Sequence, residues 1–394
     1  MNEELFIPFH RPSIGPEEFA AICSVLASKW LTTGPATHQF ESEFAAYIGC
    51  KHALAVNSAT AALQLALDAI ALAPGDEVLV PTYTFTATAE VVTYFAGRPV
   101  LCDSEPGGFN IDPADAEARI TERTRAIIPV HFAGEPCRLD AIHRLAARHQ
   151  LRVIEDAAHA LPASYRGQRI GTTSEMTAFS FYATKTITTG EGGMLVTDND
   201  DLAERIATMR LHGISRDAWK RYSNAGSWLY EVQDAGYKLN LCDLLGSLGS
   251  AQLAKCDQFF ERRRIIAQFY RDAFGDMEEV EMPPAGEDGE EHSWHLFVLR
   301  IRPNLLTLNR NEFIQELKKR GVGTSVHFIP LHLHPFYQRA YGYREGDFPN
   351  AEDAYSRCLS LPMFPDMLAE EMLRVVSSVK GVIQAYRNRT LQIA

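Results

Sequence analysis

The chain has 394 residues, 46% hydrophobic and 22% charged, with a formal net charge of −12. That length supports a large core and favours two domains over one, and the acidic balance argues against a nucleic-acid partner, whose phosphates call for a basic face. Met1-Asn-Glu-Glu-Leu-Phe lacks a basic n-region and an apolar h-region, and the apolar stretch at Ala61–Ala73 is short and broken by Gln64 and Asp68. The seven cysteines are scattered and no C-x-x-C occurs. The expectation is a cytoplasmic protein without secretory signal, membrane span, disulfide framework or zinc site.

The first element of interest is Val56-Asn57-Ser58-Ala59-Thr60, where small polar residues lead into an apolar-periodic helix. Free N–H groups at such a start bind phosphate, helped by the helix dipole and nearby hydroxyls; Ser58 or Thr60 as an ordinary cap explains the same pattern. A strand is predicted at Glu77–Pro81, followed by Pro81-Thr-Tyr83-Thr-Phe85, where an aromatic just past the strand either stacks on a flat cofactor or joins the core. Further strands are predicted at Pro99–Cys102, Ala126–Val130, Arg152–Glu155, Thr177–Phe181 and Gly193–Thr197. Segments of helical spacing separate most of them, as with Leu139, Ile142, Leu145 and Ala146. Alternation of this kind marks an α/β domain with a mainly parallel sheet, in which ligands bind beyond the carboxyl ends of the strands.

Two of these strand ends carry reactive side chains. Val153-Ile-Glu-Asp156-Ala-Ala-His159 ends a strand in an acid, which can pair with a protonated pyridine nitrogen, and His159 can contact a ring oxygen or carry a proton. The alternative is Asp156 as a helix cap and His159 on a helix face. Ser180-Phe-Tyr-Ala-Thr-Lys185 runs into the glycine-rich turn Gly190-Glu-Gly-Gly193. A lysine buried there loses its proton and becomes a nucleophile toward an aldehyde; the alternative is a surface lysine in a hairpin turn.

Farther on, a long helix, broken or bent, is predicted over Leu245–Phe274. A turn-rich loop from Pro283 to Glu291 follows, then a strand over His295–Arg302 and helices over Glu312–Arg320 and Ala369–Arg387. This divides the chain into a large domain, 1–250, and a smaller α+β domain, 251–394. His327, His332 and His334 cluster without an acid or cysteine among them on a proline-containing loop, so no metal site is assigned. The P-loop, H-E-x-x-H and G-x-S-x-G patterns are absent.

Taken together and in order, these segments resemble the DegT/DnrJ/EryC1/StrS family of pyridoxal-phosphate (PLP)-dependent sugar aminotransferases. The resemblance starts at Trp30-Leu-Thr-Thr33-Gly-Pro35 and runs through N-S-A-T-A-A-L, P-T-Y-T-F, E-D-A-A-H and S-F-Y-A-T-K. It continues at Leu211-His-Gly-Ile-Ser-Arg216 and Gly236-Tyr-Lys-Leu-Asn240-Leu-Cys-Asp243 and ends at Thr324-Ser-Val-His327-Phe-Ile-Pro-Leu-His332. It implies a type I aminotransferase fold and a homodimer with shared active sites. It makes Lys185 the lysine that holds PLP, pairs Asp156 with the ring nitrogen, lays Phe85 on the ring face and brings His159 to the ring oxygen. Ser58, Ala59, Thr60 and Ser180 would hold the phosphate, Asn240 would reach the phosphate in the partner subunit, and Thr33, Tyr83, His327 and His332 fall to the substrate side.

Two departures are visible. Leu239 stands where an aromatic is common, and Leu245-Gly-Ser-Leu-Gly-Ser replaces an alanine-rich turn, which should weaken the helix by about 1 kcal/mol per glycine. Relatives that dehydrate sugars carry His in place of the lysine, so Lys185 points to amino transfer. The expected reaction takes nitrogen from L-glutamate to a nucleotide-linked keto sugar. E-D-A-A-H and Gly226–Val232 favour carbon 4 of a UDP-linked 4-keto sugar. GDP- or dTDP-linked sugars, a 3-keto sugar, a keto-inositol, a PLP dehydratase and a PLP-binding regulatory protein stand as alternatives.

Overall fold

The computed structural model describes residues 6–214, 230–284, 286 and 289–388. Ser215 and Arg216, Gly226 to Leu229, parts of the 283–291 loop and the first five residues lie outside the described residues. Two helices with proline in the first turn, α1 (Pro16–Ser28) and α2 (Pro35–Ile48), precede the sheet. Then β1 (His52–Val56), α3 (Ala59–Ala69), β2 (Glu77–Pro81), α4 (Ala87–Thr93), β3 (Arg98–Cys102), α5 (Pro113–Ala118), β4 (Thr124–Ile127), α6 (Leu139–His149) and β5 (Arg152–Asp156) alternate. A short hairpin of β6 (Ser164–Tyr165) and β7 (Gln168–Arg169) leads to β8 (Met176–Ser180), β9 (Gly193–Thr197) and α7 (Asp200–Met209).

The seven strands of the large sheet lie in the order β1-β9-β8-β5-β4-β2-β3. Only β9 runs against its neighbours, antiparallel to both β1 and β8; the other pairings are parallel. Side chains alternate between two cores. Leu54, Val56, Val78, Val80 and Leu195 face one, and Ala55, Leu79, Ile127, Met194 and Val196 face the other. Apolar residues on both faces are what a sheet covered by helices on each side requires.

The rest of the chain comprises α8 (Asp243–Leu253), α9 (Cys256–Phe274), β10 (Val280–Glu281), β11 (Phe297–Ile301), α10 (Arg310–Lys319), α11 (Pro335–Tyr341), α12 (Pro349–Arg357), β12 (Cys358–Leu361) and α13 (Ala369–Tyr386). Strands β10, β11 and β12 form an antiparallel sheet in that order. A third core gathers around it from α9, α10, α13 and Ile7. Among the described residues no helix is long and apolar enough to cross a membrane, and all seven cysteines are free thiols.

The predicted strands recur within a few residues of their expected ends. In the large sheet only β1 was not predicted; the short strands β6, β7 and β10 and the strand β12 were not predicted either. His52-Ala-Leu-Ala-Val carries little β-branched character, and its conformation comes from in-register pairing with β9, His52 opposite Thr197 through Val56 opposite Gly193. The predicted long helix is two, α8 and α9, separated at Ala254 and Lys255.

The two glycines of α8 are not simply a weakness. A Cβ on Gly246 would stand 2.7 Å from Thr37 Cα, and one on Gly249 2.6 Å from the Phe40 ring. Both therefore let α8 lie against α2. Phe40 cannot yield, because it is fully buried and packs at 5.2 Å from Phe181 and 6.0 Å from Phe44. Gly249→Ala gains about 1 kcal/mol of helix propensity and loses roughly 1–3 kcal/mol to overpacking. The expected net outcome is a lower melting temperature, measurable by calorimetry.

Candidate active site

The parallel strands deliver their carboxyl ends to one edge of the sheet, and a cleft of about 580 Å³ opens there. Ser58, Ala59 and Thr60 enter it after β1, Thr84, Phe85 and Thr88 after β2, and Val130 after β4. Asp156 and His159 follow from β5, and Ser180 and Lys185 from β8. Because β9 is reversed, its start lies at the same edge, and Glu191 and Gly192 join the lining. From the other side come Phe9, His295, Leu296, Ser325, His327 and Phe328.

The start of α3 is both a cap and an open N-terminus. Ser58 Oγ accepts the Ala61 N–H at 3.0 Å, which leaves the N–H groups of Ala59 and Thr60 without intrahelical partners, as in the first turn of any helix. β9 passes directly behind this turn. A Cβ on Gly193 would sit 2.5 Å from the Ser58 carbonyl and 2.6 Å from Ala59 N, so only glycine permits the approach.

Asp156 ends β5 and is buried. Oδ1 accepts the Ala158 N–H at 3.1 Å and Oδ2 accepts the Thr88 hydroxyl at 2.8 Å. Thr88 is in turn 2.9 Å from the Thr84 hydroxyl. Burial raises the Asp156 pKa, against the lowering effect of these donors and of Lys185. Burial also pulls the Lys185 amine down to about 8, with Asp156 acting the other way. Roughly a tenth of Lys185 is then neutral at pH 7, far more than for an ordinary lysine, and the neutral form is the one that a nucleophile or base requires.

His159 lies in a turn, not on a helix face. Its Nδ1 accepts the Ala133 N–H at 3.2 Å, which places the ring proton on Nε2. Burial, then the charges of Lys185 and His327, push its pKa well below the ordinary range. The ring is a neutral hydrogen-bond donor. His327 Nδ1 bonds Ser360 Oγ at 2.9 Å, and burial and Lys185 lower its pKa to about 4. Phe85 is 58% exposed and forms part of the cleft wall, 5.8 Å from the Phe328 ring.

Other expected site residues lie elsewhere. Tyr83 is fully buried: its hydroxyl donates to the His327 carbonyl at 2.8 Å, and its ring packs on Phe109 and Phe132. It is a core residue that ties the two sides of the cleft together, while its neighbours Thr84 and Phe85 line the cleft. His332 is likewise buried, bonded to Thr82 at 2.7 Å and Glu352 at 2.9 Å, and is not part of the cleft lining. Thr33 and Asn240 bond one another at 2.6 Å, outside the cleft of their own chain. The three histidines of the 327–334 loop are dispersed: His334 lines a second hollow. Among the described residues no group of three or more His, Cys, Asp or Glu side chains is placed to hold a metal.

Several lining residues were not singled out in the sequence. Thr88 lies three residues past the Pro81–Phe85 segment, and nothing local marked it as the partner of Asp156. Phe9 and His295 are far from the other motifs in sequence and carry no signature. The second hollow, about 680 Å³, shares Thr84, Phe85 and Phe328 with the cleft and is lined by Tyr94, Phe336 and Tyr337 among others.

A buried amine, a buried carboxylate, a neutral imidazole donor and an open helix N-terminus around one cleft fit PLP, which presents an aldehyde, a ring nitrogen, a ring oxygen and a phosphate. The comparisons with known proteins agree. The model of the DegT/DnrJ/EryC1/StrS aminotransferase family matches residues 12–380. The uncharacterized protein MJ1066 of Methanocaldococcus jannaschii is 50% identical over 387 residues, covering 98% of this chain and 100% of that protein. The spore coat polysaccharide biosynthesis protein SpsC of Bacillus subtilis is 47% identical over 380 residues, covering 96% of this chain and 97% of SpsC. The PLP-form structure of the putative sugar aminotransferase Spr1654 from Streptococcus pneumoniae superposes with a TM-score of 0.90 at 31% identity, covering 96% of this chain and 99% of that one.

The buried amine has a cost in the cofactor-free protein. A folded pKa of about 8 against an ordinary value near 10.5 means that the folded state resists protonation and is destabilised below pH ~8. Lys185→Met should raise the stability of the cofactor-free protein by about 2 kcal/mol near neutral pH, allowing for the partner Asp156 loses. The advantage should shrink as pH rises toward ~10. Urea titrations of both proteins across that range check it.

Proposed function

The chain belongs to the DegT/DnrJ/EryC1/StrS aminotransferase family and is a PLP-dependent sugar aminotransferase, and from that premise we propose that it carries nitrogen from L-glutamate to carbon 4 of a nucleotide-linked 4-keto sugar, a UDP sugar first. The observation that carries the site assignment is the Lys185 amine, its pKa lowered to about 8, in one cleft with buried Asp156. PLP, when bound, supplies an aldehyde that takes up the amino group and a ring that accepts electrons from the reacting carbon.

The chain's own residues do the rest. The N–H groups of Ala59 and Thr60, with the hydroxyls of Ser58, Thr60 and Ser180, hold the phosphate. Asp156, kept in place by Thr88 and Ala158, holds a proton on the ring nitrogen by its negative charge. His159 donates Nε2–H to the ring oxygen, and Phe85 lies on the ring face. With PLP bound, Lys185 Nζ would be the group that takes the α-carbon proton of the amino donor and gives it back, and the same group would serve the acceptor in reverse. Its depressed pKa lets one group act as base and acid at neutral pH.

Support for a nucleotide-linked acceptor comes from space. The second hollow adjoins the cleft across Phe85 and Phe328, and its aromatic lining offers flat faces to a sugar or base. The similarity to SpsC, whose name places it in spore coat polysaccharide biosynthesis, supports a role in making an amino sugar for a polymer. We also assign a homodimer in which Thr33 and Asn240 serve the partner's site, since they lie together outside their own cleft. His327 serves the acceptor side. A division of the chain near residue 250 is supported by the separate core around β10, β11 and β12. The free thiols and the absence of a spanning helix among the described residues support a cytoplasmic setting.

Spectroscopy, variant kinetics and product analysis test this. L-Glutamate added to the PLP-loaded protein should bleach the visible absorbance of the cofactor, and a keto acceptor should restore it; Lys185→Ala should abolish turnover yet leave the circular dichroism unchanged. Asp156→Asn should lower kcat by at least about 10²-fold. Among UDP-, GDP- and dTDP-linked 3- and 4-keto sugars, the expected product is a 4-amino UDP sugar, identified by NMR. Turnover only with 3-keto sugars would remove the carbon-4 assignment.

A further inference from the structure

Between β10 and β11 the chain crosses to the large sheet as a strap, Ser293 to Leu296, and attaches to the turn that carries His159. Ser293 Oγ donates to the His159 carbonyl at 2.6 Å. Ser293 N–H donates to the Gly134 carbonyl at 2.9 Å and Leu296 N–H to the Ala133 carbonyl at 3.1 Å. Ala133 in turn donates its N–H to His159 Nδ1. The His295 ring lies against the His159 ring with centroids 4.4 Å apart. The strap is anchored from behind by Arg263, fully buried in α9, whose Nη1 donates to the carbonyls of Trp294, His295 and Met363.

His159 can present its Nε2–H to the cleft only while Nδ1 stays on Ala133, and the strap restrains both ends of that arrangement. Ala133 and Gly134 hold positive φ, 59° and 99°, and a Cβ on Gly134 would stand 1.9 Å from Ser293 Oγ. The strap therefore fits this one turn closely. His159 also meets Phe328, with ring centroids 5.9 Å apart and ring planes 26° apart. Loss of the His295 ring would open room for the imidazole to tilt away from Ala133.

We propose that His295 is a positioning residue: its ring, carried on the 293–296 strap, holds the His159 imidazole in the orientation that directs Nε2–H at the ring oxygen of PLP. His295 acts by shape. Among the described residues its Nδ1 is buried without a hydrogen-bond partner, and its contact with His159 is that of two rings with centroids 4.4 Å apart. Lys185 and His327 bias both imidazoles toward the neutral state, and Arg263 adds to this at His295.

The proposal rests on the reading that His159 donates to the ring oxygen, and the experiment separates the two. A donor at that oxygen favours its unprotonated state, so losing the donor raises the pH midpoint of the visible absorbance of the PLP-loaded protein. His159→Ala should raise the midpoint by about one pH unit, a hydrogen bond's worth. His295→Ala should shift it in the same direction, and His295→Phe, which keeps the ring, should restore the wild-type midpoint. Ser293→Ala offers a second route to loosening the strap should His295→Ala not fold, with the same direction expected. In a His159→Ala background the His295 substitution should add nothing, because it acts through His159.

No shift in His159→Ala would overturn the reading of His159. A shift in His159→Ala with none in folded His295→Ala and Ser293→Ala would overturn the positioning role alone. A further shift from His295→Ala in the His159→Ala background, or a His295→Phe protein that behaves like His295→Ala, would also overturn it, by showing that the nitrogen of His295 acts on the cofactor directly.

Discussion

Lys185 and Asp156 face one cleft with too little water to solvate either charge fully, and most of the architecture around them can be read as the means of holding that arrangement. An unpaired buried carboxylate or ammonium is expensive, so the fold must supply partners or neutralise the group. It does some of each. Asp156 receives a backbone N–H and the Thr88 hydroxyl, while Lys185 gives up affinity for its proton. The parallel sheet makes this possible by bringing strand ends from residues 56, 81, 156 and 180 to one edge. The helix that would otherwise end in unsatisfied N–H groups, α3, begins at the same edge and contributes a region of positive potential.

The second side of the cleft depends on contacts far apart in sequence. Tyr83 reaches the His327 carbonyl, Thr82 reaches His332, and the 293–296 strap reaches His159. These bonds join the region around the small sheet to the strand ends of the large one. His332 and Tyr83 thus serve the cleft from behind, as supports of its walls. The same division recurs at α8, where glycines that lower local helix propensity let two helices approach closely enough to bury Phe40.

Membership of the aminotransferase family and the PLP chemistry follow from features spread over nearly the whole chain, matched across residues 12–380. The acceptor sugar is a different kind of question. It depends on which side chains meet a hydroxyl or a nucleobase, and loops carry that information with little constraint from the sheet. The hollow beyond Phe85 and Phe328, with Tyr94, Phe336 and Tyr337 in its lining, is where the proposed acceptor would make such contacts.

The sequence by itself determined the α/β class, most of the strands and the residues with cofactor chemistry. Each of these is written in short-range patterns: hydrophobic alternation, a small-residue helix start, an acid or a lysine just past a strand. Lys185, Asp156, His159, Ser58 and Phe85 were candidates in this way, each with an ordinary structural alternative, and only the resemblance of the ordered segments to the family singled them out; the structure gathers them at one cleft. What only tertiary structure decided was which neighbours share a wall. β1 is a strand because β9 pairs with it, Tyr83 is core because its hydroxyl meets the His327 carbonyl and its ring meets Phe109 and Phe132, and Thr88, Phe9 and His295 reach the cleft through contacts that no local pattern encodes. Packing and long-range hydrogen bonds depend on elements tens or hundreds of residues away, so the orientation of a reactive side chain is settled by partners that its own segment does not name.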